Sequence, residues 1–280
     1  ASTGAGTGAA SNGKYVGVAP AASIMVAKVL SDSGGGRMSD VMAGVEWAVQ
    51  NGADVLNLSL GSDGNSDGRD ALSTMCNAAV DAGKVVVVAA GNAGPGANTV
   101  GSPGAAEKVI TVGASTDTDG MANFSSRGPT ADGRVKPDIV APGVKIIAAR
   151  ATGTRMGTPV DDNYTSAQGT SMATPHVAGL CALILKANRK LSPADVKRLL
   201  RETAINLNMD PNIQGQGRVD SLAAVLAAAP PPKPDPTPPP DPKPTPDPKP
   251  TPDPTPTPTP DPTKPPVGCL GAILKAFGLL

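Results

Sequence analysis

Residues 169–179 read Gly-Thr-Ser-Met-Ala-Thr-Pro-His-Val-Ala-Gly, a turn of small residues that leads directly into an apolar pattern. From Val177 onward the apolar residues recur at helical spacing, which predicts a helix with one buried face. Pro175 is compatible with this helix if it lies near the first turn, where a missing N–H has little or no helical partner. Ser171 would then lie at the helix N-terminus, where free N–H groups and the helix dipole favour negative charge. This placement suits a nucleophilic serine whose substrate becomes an oxyanion, although a serine there can also be a simple N-cap.

The composition indicates one large domain followed by a different kind of segment. The chain has 280 residues, 39% of them hydrophobic, and no net formal charge, so nothing points to nucleic acid or an anionic membrane as a partner. No apolar run is long enough to span a membrane. Residues 1–229 suffice for one domain with its own core. Residues 230–266 contain only proline, aspartate, lysine and threonine, which predicts a polyproline II linker, and residues 267–280 form a short apolar segment with helical spacing.

Strand and helix patterns alternate through the larger segment. Apolar runs at residues 24–30, 55–60 and 85–90 predict strands, and shorter runs at 109–112 and 144–148 predict two more. Helices are predicted to start at Ser39, Asp70, Ser192 and Asp220. This order predicts an α/β fold with three layers, in which helices cover both faces of a mostly parallel, twisted sheet. Cys76 and Cys181 fall on predicted helices and are expected to be small buried hydrophobic residues.

Two short segments directly follow predicted strands, and ligands bind beyond the carboxyl ends of strands in open parallel sheets. The first is Ser59-Leu60-Gly61 and the second is Gly91-Asn92. By itself, an asparagine at such a place is most simply a turn residue.

The string at residues 169–179 closely resembles the nucleophile motif of the subtilisin-like serine proteases, or subtilases. Val-Ala-Ala-Gly-Asn at residues 88–92 resembles their oxyanion-hole motif, and residues 123–129 and 136–143 resemble segments with structural roles. The resemblance extends from residue 1 to about residue 228 and implies a subtilisin-like fold. It also implies a serine endopeptidase that forms an acyl-enzyme on Ser171. The side-chain amide of Asn92 and the Ser171 N–H would then stabilise the tetrahedral oxyanion.

The same resemblance implies a set of substrate-binding residues. They flank an extended peptide, or they line the pocket for the side chain that precedes the scissile bond: Gly34, Gly35, Gly36, Ser59, Leu60, Gly61, Ala89, Ala90, Gly91 and Gly101. Glycine and alanine let a peptide backbone approach closely, and exposed strand edges supply main-chain hydrogen bonds. An open pocket lined by small residues is expected to accept large apolar side chains.

The chain departs from the family where the general base and its orienting carboxylate belong. Subtilases carry these groups in Asp-Ser/Thr-Gly and His-Gly-Thr-His motifs, and neither motif occurs here. The single histidine, His176, follows Ser171 by five positions, which on a helix is a rotation of about 140° and a rise of about 7.5 Å. We therefore expect His176 to be a buried structural residue that points away from Ser171.

These departures predict the C-terminal two-thirds of a catalytic domain, inactive by itself. The alternatives are a peptide-binding pseudoenzyme and one half of a split protease that is completed by the missing N-terminal part.

The chemistry requires no cofactor. The family resemblance makes structural calcium the metal to consider. Asp63, Asn65 and Asp67 fit the first half of a calcium loop, but Thr74 stands where a bidentate glutamate is needed. A solvated loop is therefore favoured over a calcium site, and no metal ligand is assigned. The resemblance also implies polypeptide substrates and an extracellular or cell-surface location.

Overall fold

The computed structural model describes residues 2–229, and the α/β fold expected from the sequence is confirmed. The linker predicted at residues 230–266 and the apolar segment predicted at 267–280 lie outside the described residues. Within residues 2–229, no helix is both long enough and apolar enough to cross a membrane. In chain order the elements are α1 (Ser2–Ala5), a 3₁₀ turn (Ala9–Ser11), α2 (Met38–Gln50), β1 (Val55–Leu58), α3 (Ala71–Asp81), β2 (Val85–Ala89), β3 (Ile110–Ser115), β4 (Ile139–Pro142), β5 (Ile146–Ala149), β6 (Thr158–Pro159), β7 (Tyr164–Ala167), α4 (Thr170–Ala187), α5 (Pro193–Glu202), α6 (Pro211–Gln214) and α7 (Ser221–Ala228).

The first four strands form a parallel sheet in the order β1-β2-β3-β4. Val55 of β1 lies beside Val85 of β2, which fixes the register of that pair. Every residue of β2 is buried, as expected for an inner parallel strand that is covered on both faces. Because the strands are parallel, the segments that follow β1 and β2 leave the sheet at the same edge. This edge is where the predicted site lies.

Helices cover both faces of the sheet, and the alternation of side chains along β2 separates two apolar cores. Val85 and Val87 belong to the core under α4, α5 and α7. Val86 and Val88 belong to the core under α2 and α3, because successive side chains of a strand point to opposite faces.

Cys76 and Cys181 are buried in these two cores, as predicted, and both are free. Burial raises the pKa of the Cys76 thiol to about 12 and raises that of Cys181 as well. Both cysteines therefore stay protonated and act as small apolar residues.

Three of the four predicted helix starts are confirmed. Asp70, Ser192 and Asp220 each accept a hydrogen bond from a backbone N–H in the first turn of the helix that follows. The prediction for Ser39 is wrong, because α2 already begins at residue 38 and its N-cap, Arg37, makes no side-chain bond. This helix is stabilised by its buried face rather than by a cap.

The strand predicted at residues 24–30 is also wrong. No strand forms there, and Ile24, Met25 and Val26 are 51%, 44% and 72% exposed. An apolar run becomes a strand only when a neighbouring strand pairs with its backbone groups. Within residues 2–229, no strand pairs with this run, and the edge strand β1 pairs with β2 alone. The end of the run, Val29 and Leu30, packs instead on the core under α2.

One strand of the parallel sheet, β4, was not predicted, because it lies in the segment that was given only a structural role. The run predicted at residues 144–148 forms β5, which pairs antiparallel with β7 in a separate sheet with the order β5-β7-β6. A short apolar run specifies a strand, but it does not specify the sheet to which the strand belongs.

A buried cluster of charges joins β3, β4 and α5. Oδ2 of Asp138 accepts from the Thr111 N–H at 2.8 Å and from the Lys136 ammonium at 2.7 Å. The Lys197 ammonium lies 3.1 Å from the other carboxylate oxygen. Burial alone would raise the pKa of Asp138, but the two lysines and the Thr111 N–H hold it at about 2. The carboxylate is therefore ionised and fully paired, which is the condition under which a buried charge is tolerated.

Candidate active site

The turn before α4 places Ser171 as the second residue of that helix. Gly169 is the N-cap, with φ 145 and ψ 160, a conformation that glycine adopts readily because it has no Cβ. Its N–H donates at 2.9 Å to the carbonyl of Gly143, the residue that directly follows β4. Since the first N–H groups of a helix have no helical partners, Ser171 lies at the positive end of α4, next to the edge of the sheet.

Pro175 acts differently from the sequence-based expectation. It is the sixth residue of α4, beyond the first turn, so its missing N–H would otherwise bond to the Ser171 carbonyl four residues earlier. The Ser59 hydroxyl donates to that carbonyl at 2.9 Å. The expectation that the lost N–H has no helical partner is therefore wrong, and a side chain from the segment after β1 supplies the missing bond.

The two serines are joined by a second bond in the opposite direction. The Ser171 hydroxyl donates to the Ser59 carbonyl at 3.2 Å, and the Asn57 amide donates to the Ser59 hydroxyl at 3.0 Å. A carbonyl oxygen orients a hydroxyl but does not remove its proton. In this arrangement Ser171 therefore remains a neutral and weak nucleophile.

Thr170 fixes the side chain of Asn92, which lies beyond the end of β2. The backbone N–H of Thr170 donates to the Asn92 side-chain carbonyl at 2.9 Å, and the Thr170 hydroxyl lies 3.1 Å from the same oxygen. Because this oxygen is held by Thr170, the NH₂ group of Asn92 is the end of the amide that is left to donate elsewhere. The sequence-predicted nucleophile and oxyanion donor are thus connected through one residue, Thr170, at the start of α4.

A cavity of about 150 Å³ opens beside Ser171 and Asn92. The predicted residues that line it come from the ends of β1 and β2 and from the loop near residue 101: Leu60, Gly61, Ala89, Ala90, Gly91 and Gly101. Glycine is required at residue 101, because a Cβ there would lie 1.7 Å from the Ser62 carbonyl oxygen. The cavity therefore depends on the close approach of two loops.

The remaining predicted residues lie elsewhere. Ser59 contacts Ser171 directly and does not line the cavity. Gly34, Gly35 and Gly36 are exposed and lie in the turn before α2, where the Gly35 carbonyl accepts from the Ser31 N–H at 2.8 Å. Their role in substrate binding stays a prediction.

His176 is bonded to its own helix. Its Nδ1 lies 2.9 Å from the Met172 carbonyl, and because a carbonyl only accepts, Nδ1 carries the proton in this bond. Burial lowers the pKa of the imidazole, and the bond to Met172 opposes this effect only in part. The side chain is half-buried rather than buried as expected. Within residues 2–229, no hydrogen bond joins it to Ser171.

The weak calcium loop gains no support from the geometry. In the described part of the chain, no three His, Cys, Asp or Glu side chains are grouped so that they could hold a metal ion. A carboxylate oxygen of Asp67 accepts from the Arg69 N–H at 3.0 Å, which closes a local turn. Calcium binding by Asp63, Asn65 and Asp67 remains untested.

Several residues at the site were not predicted from the sequence. Thr170 orients Asn92, Pro175 frees the Ser171 carbonyl, and Ser62, Asp63 and Ser102 complete the cavity wall. One signal in the sequence could have indicated a contact at this site. Pro175 lies four residues after Ser171, so the Ser171 carbonyl requires a donor from elsewhere.

The comparisons with known proteins agree with this fold. The sequence profile of the subtilase family, peptidase group S8, matches residues 1–217. The chain is 44% identical to "Serine protease AprX" of Bacillus subtilis (strain 168) over 240 residues, which are 78% of this chain and 54% of AprX. It is 41% identical to "Subtilisin DY" of Bacillus licheniformis over 211 residues, which are 75% of this chain and 70% of that protein. The chain thus spans about half the length of AprX.

Solved structures show the same likeness. The patellamide maturation protease PatA superposes with a TM-score of 0.64 at 28% identity, over 77% of this chain and 78% of that one. A subtilisin-like α/β protein is defined by the parallel sheet, the helix that carries the serine in its first turn and the loop that carries the asparagine. With the family profile matching most of its length, the chain belongs to the subtilase family.

Proposed function

We propose that this chain supplies the nucleophile and the oxyanion hole of a serine endopeptidase, with Ser171 as the nucleophile. One observation carries this proposal. Ser171 starts a helix beside Asn92, both residues border one cavity, and Thr170 holds the Asn92 amide in a single orientation. Membership of the subtilase family supports it.

In the proposed reaction, the Ser171 hydroxyl oxygen attacks the carbonyl carbon of a peptide bond, and the negative charge moves to the carbonyl oxygen. The Asn92 NH₂ group and the Ser171 N–H donate to that oxygen. Preorganised donors are most effective on charge that develops in the transition state, and the loss of one costs roughly 2.7–4 kcal/mol in a subtilisin. The tetrahedral intermediate then expels the amine, which takes up the proton removed from Ser171, and leaves an acyl-enzyme on Ser171 that water hydrolyses.

This reaction needs a base that takes the Ser171 proton, and we propose that a polypeptide segment outside these 280 residues supplies it. His176 is the single histidine of the chain, and its Nδ1 is occupied by the Met172 carbonyl. The segment would bring the Asp-Ser/Thr-Gly and His-Gly-Thr-His motifs. Ser171 would then exchange its bond to the Ser59 carbonyl for a bond to the incoming imidazole.

A second candidate function is peptide binding without hydrolysis. The observation in its favour is the Ser171 hydroxyl itself, which donates to a carbonyl and has no base among the described residues. The cavity and the oriented Asn92 amide would still bind an extended peptide in this case.

A chromogenic peptide separates the two functions. The full chain is assayed alone and after mixing with a separately made subtilase segment that carries both motifs, here called the motif-bearing segment. We expect hydrolysis in the mixture, none by the chain alone, and none in the mixture with Ser171→Ala. His176→Ala is the matched control and should retain hydrolysis in the mixture. Hydrolysis by the chain alone that is lost in His176→Ala would instead identify His176 as the base.

Family membership also supports an extracellular or cell-surface location and polypeptide substrates, and both remain proposals. The boundaries of the domain, linker and apolar segment likewise stay predictions. No residue is proposed as a ligand for structural calcium.

A further inference from the structure

The cavity beside Ser171 has one charged residue, Asp63, in its wall. The other lining residues are alanine, leucine, glycine, serine, threonine and asparagine. Asp63 is exposed, and within residues 2–229 neither an ion pair nor a side-chain hydrogen bond engages its carboxylate. A residue with an unpaired carboxylate, in the wall of an otherwise neutral cavity, offers a recognition group for a cation.

The loop that carries Asp63 is held in place by the floor of the cavity. The Ser62 N–H donates to the Ser102 carbonyl at 2.8 Å. A Cβ at Gly101 would lie 3.4 Å from the Asp63 carbonyl carbon, so the Asp63 backbone rests on the floor. The Asp63 carboxylate is thus attached to a fixed wall, although its own side chain is open to solvent.

We propose that Asp63 selects peptides in which the residue before the scissile bond is lysine or arginine. This inference rests on the proposed function, because it takes the cavity as the pocket for that residue. The aliphatic stem of either side chain would pack on Leu60, Ala89 and Ala90 of the cavity lining, and the charged head would reach the carboxylate. The large apolar side chain expected from the sequence fits the alanines and leucine, but it leaves Asp63 unpaired.

The inference can be tested on the full chain without catalysis. Fluorescein-labelled peptides with a free C-terminus imitate the product of cleavage, and they differ only in the last residue: lysine, arginine, leucine or glutamate. Fluorescence anisotropy measures their dissociation constants. We expect lysine and arginine to bind roughly twofold to fivefold more tightly than leucine, and glutamate to bind most weakly. The preference should shrink as salt is added.

Two variants complete the test. Asp63→Asn should remove the preference and leave the affinity for the leucine peptide unchanged. Asp67→Asn, which changes a nearby acidic residue outside the cavity wall, should keep the preference.

The two possible failures are distinguishable. Equal binding of lysine and leucine peptides, unchanged by Asp63→Asn, would overturn the inference and leave the proposed function intact. The absence of binding by every peptide would overturn both, because the cavity would then not be a peptide site.

Discussion

The bond between the Ser59 hydroxyl and the Ser171 carbonyl should be energetically coupled to Pro175, because it replaces the N–H that proline lacks. Ser59→Ala removes this donor and leaves a partly buried carbonyl without a partner. A typical intramolecular hydrogen bond contributes about 0.5–1.5 kcal/mol, and an unsatisfied buried group costs about 1–3 kcal/mol. Since both serines are only partly buried, we expect Ser59→Ala to lower the free energy of unfolding by about 1–2 kcal/mol.

Pro175→Ala restores the helical N–H, so the same substitution should cost less in that background. A double-mutant cycle measures the difference by urea unfolding, followed by circular dichroism. We expect the cost of Ser59→Ala to fall by about 1 kcal/mol when residue 175 is alanine. The packing change caused by Pro175→Ala is present with either residue at position 59, and the lost Asn57 bond is present with either residue at position 175. Both effects therefore cancel in the cycle. Equal costs in both backgrounds would refute the assignment.

The remaining predictions test the oxyanion donor, the buried charges and the domain boundary. Asn92→Leu should lower turnover in the completed enzyme by about 10²–10³ with little change in the Michaelis constant, and an equal loss of substrate affinity would contradict its role. Asp138→Asn should lower the free energy of unfolding by about 3–5 kcal/mol. The control is Asp132→Asn, which should cost less than about 1 kcal/mol, because Asp132 is exposed and its carboxylate lies 2.9 Å from the Arg134 guanidinium. Because the pKa of Asp138 is lowered from 3.8 to about 2, its stabilisation is complete above about pH 5 and is lost progressively as the pH falls to about 1. Asp138→Asn should remove that part of the acid sensitivity. Ending the chain at Ala229 should leave the melting temperature nearly unchanged, since residues 230–266 have almost nothing apolar to bury, and a large decrease would place the boundary elsewhere.

Local rules predicted most of the fold from the sequence. The caps at Asp70, Ser192 and Asp220 depend on one side chain and the next three residues, so they can be identified without knowing the tertiary structure. The apolar run of β2 is similarly informative, because a parallel strand covered on both faces is uniformly hydrophobic.

Predictions that depend on distant partners failed. Residues 24–30 have the composition of a buried strand. A strand also needs a paired neighbour, and within residues 2–229 no strand pairs with this run. The role of β4 depends on its pairing with β3, between Val112 and Ile139, which no local pattern encodes.

The candidate site likewise has features that local sequence indicates and features that depend on distant residues. Ser171 and Asn92 are recognisable from their motifs, and their placement at the start of α4 and the end of β2 agrees with the pattern of elements. The contacts that orient them, from Thr170 to Asn92 and from Ser59 to Ser171, join residues 78 and 112 positions apart. Sequence spacing alone could not indicate those bonds.

The most direct test of the central claim is covalent labelling of Ser171 by a fluorophosphonate, with the modified residue located by mass spectrometry. Such probes react with a serine that has an activated hydroxyl, and in this chain the hydroxyl donates to the Ser59 carbonyl instead. The account predicts labelling of Ser171 when the chain is mixed with the motif-bearing segment, and none with either part alone. Robust labelling of Ser171 in the chain alone, or none in a mixture shown to have assembled, would contradict it.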